Sequence, residues 1–461
     1  MGLFRAVWLV ILPTVARAQE FLPCASGTNF LTVASTEDAV TLATSLRCSN
    51  GIFAVDWIGD VVISEPISVS QGTSLSITGS ALGAAVDGNH TTHIFSVDGG
   101  SALHLTDMVL ENGRAFAGGA VSATQHSTVT FSGNMTFTAN TASFGGAIYA
   151  NSSTVSWDGP YTTFRSNNAS NYAGAFMACN STDISWDGET SFINNIGTAR
   201  GGGAYVVDYS NVSWTGTTKF LNNSADDGGG LYMREYCVGN WSGTTTFAGN
   251  TAVVTGGGLN VHTSSKAFWT GVTAFTGNSA DRAGAMWVWR SAVSWNGFTT
   301  FADNVAYSDG GALYATLNHD ITARGITIFS NNTAVNGNGG ALGLYGSLSG
   351  DGSDVHIAGD TTFINNSASG SGGAIFSAAN PHGQHFEGVE FMFNSARVGG
   401  AVATFGTGNA DECTPSPTIF SMCRFFGNHA FETGGAVETA FGQEEIHSSY
   451  FEGNFAGIFQ S

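Results

Sequence analysis

The sequence predicts an all-β fold, a single-stranded right-handed parallel β-helix (a solenoid) of about twelve coils with an N-terminal cap. Three observations predict it. A Gly-Gly-Ala triplet or near variant recurs twelve times, its third residue at Ala120, Ala147, Ala175, Ala204, Leu231, Leu259, Ala285, Ala312, Ala341, Ala374, Ala401 and Ala436. A Phe-x-x-Asn motif runs in phase with it, from Phe137 to Phe451, and most intervals are 26 to 29 residues. A third ladder, Phe131, Trp157, Trp186, Trp214, Trp241, Trp269 and Trp295, precedes the repeat Phe in the middle coils, and each member is followed two residues later by Gly.

The segments between these marks are short and rich in Val, Thr, Phe and Trp, which is strand-and-turn chemistry without a helical period. A unit of this size cannot enclose a core alone. Stacked, each strand pairs in parallel with its copy one coil on, and like side chains meet in register. The Phe and Trp rows are then interior stacks. The motif Asn forms an amide ladder at an inner corner, satisfying backbone groups that a tight bend leaves unpaired. Gly serves corners where backbones approach closely or φ is positive.

In chain order, Arg5, the apolar run Ala6 to Val15 and Ala16-Arg17-Ala18 read as a signal peptide over 1–18. Residues 19–108 read as the cap and first irregular coils. Ser35-Thr36-Glu37-Asp38 starts a helix that carries Ala39, Leu42, Ala43 and Leu46 at helical spacing, and Ile63 to Val69 and Leu75 to Thr78 follow as strands. The repeats occupy 109–461. Ser461 falls in mid-repeat after Asn454, so a C-terminal cap is expected to be missing, with an open strand edge in its place.

A formal net charge of −20 repels phosphate backbones and anionic membranes, which argues against nucleic acid as a partner. No stretch approaches the ~18 apolar residues of a membrane span, so no integral membrane segment is expected. Gly at 63 residues, Pro at seven and charged residues at 10% fit neither collagen nor a disordered chain. With the signal peptide, Asn-x-Ser/Thr sequons at Asn89, Asn134, Asn151, Asn168, Asn180, Asn211, Asn222, Asn240, Asn331 and Asn365 predict a secreted or cell-surface glycoprotein. Asn222, Asn331 and Asn365 directly precede motif asparagines and should point outward. Of the six cysteines, Cys24 with Cys48 and Cys413 with Cys423 are disulfide candidates. Cys179 and Cys237 lie two coils apart, about 9.6 Å at one strand spacing per coil, too far for a bridge.

The paired motifs, as in Gly145-Gly146-Ala147-Ile148 with Phe137 to Asn140 and Gly310-Gly311-Ala312-Leu313 with Phe329 to Asn332, resemble the repeats of the polymorphic outer-membrane protein family over about residues 109–456. The resemblance implies a right-handed β-helix passenger exposed at a cell surface, with adhesion as its usual role. Within residues 1–461 no C-terminal membrane β-barrel is expected after the repeats.

Strand alternation after the Gly-Gly corner sends one row of apolar residues inward and the next outward. The outward row gives a candidate ligand stripe of Tyr149, Met177, Met233, Trp287, Tyr314 and Phe376, with Val206 and Val261 in the same series. Its occupant would be an extracellular glycan or a surface protein. Asp158 and Asp187 on adjacent coils are weak candidates for a cation site. No catalytic residue and no cofactor is assigned. Polysaccharide lyase or glycoside hydrolase chemistry, the main alternative, needs clustered carboxylates and a base on one face, and no such set is visible. An ice-binding surface needs an outward Thr rank, whereas the regular Thr row shares parity with the repeat Phe and should face inward.

Overall fold

The computed structural model describes residues 28–46, 51–80, 84–317, 320–346, 354–378, 383–406, 418–440 and 444–457. The signal-peptide segment, Cys24, Cys48, Cys413 and Ser461 lie outside them. Almost every ordered element is a short strand, and every pairing is parallel to the equivalent strand of the next coil, as in Asp183–Trp186 with Asn211–Trp214. The result is a parallel β-solenoid of about fourteen coils, with sheets of 29, 12 and 14 strands. The two coils beyond the motif count come from Ile67–Val69 and Phe95–Val97, which join the 14-stranded sheet without a Gly-Gly-Ala triplet.

The 29-stranded sheet holds two strands per coil because the Trp and Phe ladders are halves of one bent leg. In Thr128–Thr138 the two halves are still continuous. In later coils the Gly two residues after Trp takes the bend: a Cβ on Gly188 or Gly243 would overlap the carbonyl oxygen of the equivalent Gly one coil earlier. The second Gly of the Gly-Gly corner is fixed by the same close approach, since a Cβ on Gly174 would strike Gly202 O. The first Gly combines positive φ with a close approach of its own, as at Gly145 against Ile148 O, yet Ala173 and Ala283 take its place at φ +61° and +58°.

Twelve repeat phenylalanines form one column, buried from Phe137 to Phe425 and exposed at Phe451, with neighbouring ring centroids 4.5–5.1 Å apart and ring planes within 10° of parallel. Trp157, Trp186, Trp214, Trp241 and Trp269 form a second, at 4.2–5.0 Å. Trp295 instead gives its Nε1–H to Thr327 Oγ1 at 2.9 Å. The five stacked indoles have no hydrogen-bond partner at Nε1. Each orphan costs about 1–3 kcal/mol. Burying ~200 Å² of ring contributes roughly 5 kcal/mol, so burial wins.

The motif asparagines form the expected ladder. Asn223 Oδ1 accepts from both Asn195 N–H and Asn195 Nδ2, at 3.0 and 2.9 Å, and Asn223 Nδ2 donates to Phe192 O at 2.9 Å. The same pattern runs from Asn140 to Asn428, all fully buried. The Thr row from Thr162 to Thr361 also points inward.

Helix α1 (Thr36–Ser45) starts at Ser35, whose Oγ accepts from Asp38 N–H at 3.2 Å, and it delivers Ala39, Leu42 and Leu46 to the solenoid core. Among the described residues no helix is long and apolar enough to cross a membrane.

One register differs from expectation. Ala175 N–H bonds Gly203 O, Gly203 N–H bonds Gly230 O, and Gly230 N–H bonds Gly258 O. The third motif position is therefore Gly203, Gly230 and Gly258, not Ala204, Leu231 and Leu259. Three consecutive glycines allow either reading, and a shift of one residue exchanges the faces of the following strand. Met233 is accordingly an inward residue with no exposed surface, and Val206 and Val261 are inward beside it. Tyr205, Tyr232 and Asn260 take the outward places.

Candidate binding groove

The outward row of the 14-stranded sheet runs Tyr149, Met177, Tyr205, Tyr232, Asn260, Trp287, Tyr314, Gly343 and Phe376. It is not bare. Immediately before each Gly-Gly corner a second ladder, Phe144, Tyr172, Arg200, Asp227, Thr255 and Arg282, folds towards it. Met177, Tyr205 and Tyr232 join a hydrophobic cluster outside the main core, flanked by Phe144, Tyr149 and Tyr172. Tyr314 and Phe376 are likewise buried on their outward face, while Tyr149 and Trp287 are half-buried. The covering row thus turns the expected stripe into the floor of a groove.

Beside Tyr149 and Tyr205 the groove encloses a cavity of about 590 Å³. Aromatic contacts run along the axis from Phe116 to Phe144, Tyr172, Tyr205 and Tyr232 at 5.2–5.6 Å, tilted or edge-on. Phe116 is 74% exposed and opens one end. The Arg200 guanidinium lies 5.5 Å from the ring centroids of both Tyr172 and Tyr232, a cation–π bracket. Further along, His262 stacks on Trp289 at 4.1 Å, and Trp287, Tyr314, Tyr345, Phe376 and Phe405 continue the series at 4.9–5.6 Å.

Polar groups line the rim. Tyr149 Oη accepts from Asn151 Nδ2 at 3.0 Å and from Cys179 Sγ at 3.4 Å. Burial, reinforced by Cys179, pushes the Tyr149 phenol up to about 12, and burial pushes Tyr232 to about 12 and Tyr205 well up. These phenols are neutral at physiological pH and offer hydrogen bonds without charge. Burial lowers His262 to about 4, helped by Arg234 and Arg200, so its imidazole is neutral too. Asp208 rises to about 6, first through desolvation and then through the hydrogen bond and negative charge of Glu235. Glu235 pairs with Arg234 at 2.6 Å. Beside this cluster the exposed rings of Tyr209 and Tyr236 stack at 5.0 Å and 7°.

Asp208 and Glu235 form a carboxylate pair that sequence reading missed. They lie close enough for Glu235 to raise the Asp208 carboxyl, after desolvation. Tyr172 and Arg200 were also missed. The available signal was a constant offset, three residues before the true third motif position. Asp158 and Asp187 are exposed on adjacent rungs and engage different hydroxyls, Asp158 that of Ser132 and Asp187 that of Thr215. All ten sequon asparagines except Asn151, which is half-buried, are exposed, and Asn222, Asn331 and Asn365 face out beside buried motif asparagines. Cys179, Cys237 and Cys423 are buried free thiols.

A family model, the Chlamydia polymorphic membrane protein repeat, matches residues 298–316 and 360–378. Each match runs from the Phe-x-x-Asn strand through the Gly-Gly-Ala corner into the next strand. No curated protein and no solved structure matches the chain. Two segments of the chain are thus similar to the Chlamydia polymorphic membrane protein repeat, and the parallel β-solenoid is consistent with a Pmp-like β-helix.

Proposed function

We propose that the chain is a secreted or cell-surface adhesin-like protein that binds an extracellular glycan along the groove of its 14-stranded sheet. The repeat type and the solenoid suggest a surface or adhesin-like protein. The observation that carries the more specific reading is the axial series of aromatic rings around Arg200, which offers a linear ligand similar chemistry at successive coils. Apolar faces with neutral phenols at their edges suit sugar rings. The net charge of −20 favours a neutral or cationic polymer over an anionic one. Residues 19–108, with α1 packed on the core, serve in this reading as the N-terminal cap, and the exposed sequons carry glycans.

A glycan-array screen on the secreted protein, repeated with Phe116→Ala and Trp287→Ala, tests it. Phe116 is exposed, so its removal should leave the fold intact and weaken binding about tenfold, ~1.4 kcal/mol. An absence of glycan binding, or binding indifferent to both changes, would remove the groove as a sugar platform. Capture of a surface protein that depended on the same residues would establish the other occupant.

A further inference from the structure

We infer a divalent transition-metal site at His356, His385 and Glu387, on the outer face of the 29-stranded sheet and independent of the groove. Asp354–Ala358 and Gln384–Glu387 are neighbouring rungs, with His356 opposite His385 and Ala358 opposite Glu387. Strand alternation fixes their direction: Val355, Ile357 and Phe386 fill the core, so the two imidazoles and the carboxylate emerge together outside. One donor atom from each lies within 4.8 Å of the others. The rings are 5.2 Å apart and 23° from parallel.

A second observation separates this cluster from an ordinary surface grouping. His356 Nε2 is shielded from solvent yet has no hydrogen-bond partner. Buried imidazole nitrogens normally find one, and no hydrogen bond between either ring and Glu387 accounts for this one. Two imidazoles and a carboxylate are the donor set of zinc and its neighbours, with bonds of about 2.0–2.2 Å and ligand atoms about 3.3 Å apart in a tetrahedron. Side-chain rotation closes the set, while the main chain of both rungs stays fixed by its ladder. Ala358, across from Glu387, adds little bulk, so a fourth position stays open to water or a ligand.

The test titrates the untagged full chain with Zn²⁺ against a chromophoric chelator, alongside Co²⁺ absorption to report coordination. The His356→Ala/His385→Ala double variant sets the background from the other surface histidines and carboxylates. The wild type should bind one equivalent of Zn²⁺ at least 100-fold more tightly than the double variant, and Glu387→Gln should weaken it about tenfold. A wild type without a tight equivalent, or a tight equivalent that survives in the double variant, overturns the site. Should the double variant fail to fold, a zinc-dependent rise in the thermal midpoint decides: its loss in Glu387→Gln supports the site, and its absence in the wild type or persistence in the variant refutes it.

Discussion

The phenylalanine column inside this molecule and the aromatic series along its groove differ in composition and in ring geometry. The interior column is one residue type throughout, Phe137 to Phe425, with planes parallel to within 10°. The groove column mixes Phe, Tyr, His and Trp, with Tyr172–Tyr205 and Tyr205–Tyr232 crossed at 68° and 80°. Inside, a ring is bounded above and below by its copies and on every side by packed atoms, so a different shape leaves a void or a clash. Outside, one side is open and edge-on contacts accommodate different rings. Sameness marks the part that holds the tube together, and variety marks the part free to acquire a partner.

The largest expected effect compares one ring from each column. Phe247→Ala should cost about 3–5 kcal/mol, felt mainly by adjacent coils because a solenoid couples nearest neighbours. Tyr172→Ala should cost about 1–2 kcal/mol. Hydrogen exchange of the flanking strands measures both, and equal losses would erase the distinction. A smaller effect concerns thiols. Burial raises Cys237, in the main core, to about 12 and raises Cys179, in the outer cluster, as well. Native-state alkylation mapped by mass spectrometry should modify Cys179 through local opening of the groove, well before Cys237, which requires opening of the coil. The reverse order would place the weaker packing inside.

The smallest effect is a pH dependence at the rim. Asp208 rises from an ordinary 3.8 to about 6 in the folded chain, so the folded form holds its proton more tightly than the unfolded one. Stability is then greatest below about pH 4, falls as pH rises through about 6, and is flat beyond. Glu235→Gln should shrink that fall, read as the difference in thermal midpoint between pH 4 and pH 7, because it removes the neighbouring negative charge. A wild type with no such fall would contradict the raised value.

The interior was readable from sequence because its stacking demands identity: Phe at fixed phase, Asn three residues on, and Gly where Gly174 meets Gly202. The groove was only partly readable. Tyr149, Met177, Trp287, Tyr314 and Phe376 could be assigned to an outward row, but Met233 could not be separated from Tyr232 within a run of three glycines, where local pattern supports two registers. Tyr172 and Arg200 belong to no motif.

By itself the sequence determined the strand period, the stacking of like on like, the inward asparagine and threonine rows and the acidic surface, since each follows from a repeat that must satisfy its own copy. Only the tertiary structure decided that the pre-corner row covers the outward stripe, that Arg200 lies between Tyr172 and Tyr232, and that His356 and His385 share one outer face on neighbouring rungs. Those residues keep the period but change type from coil to coil, so no repeated side chain marks them, and hydrogen-bonded register brings them together.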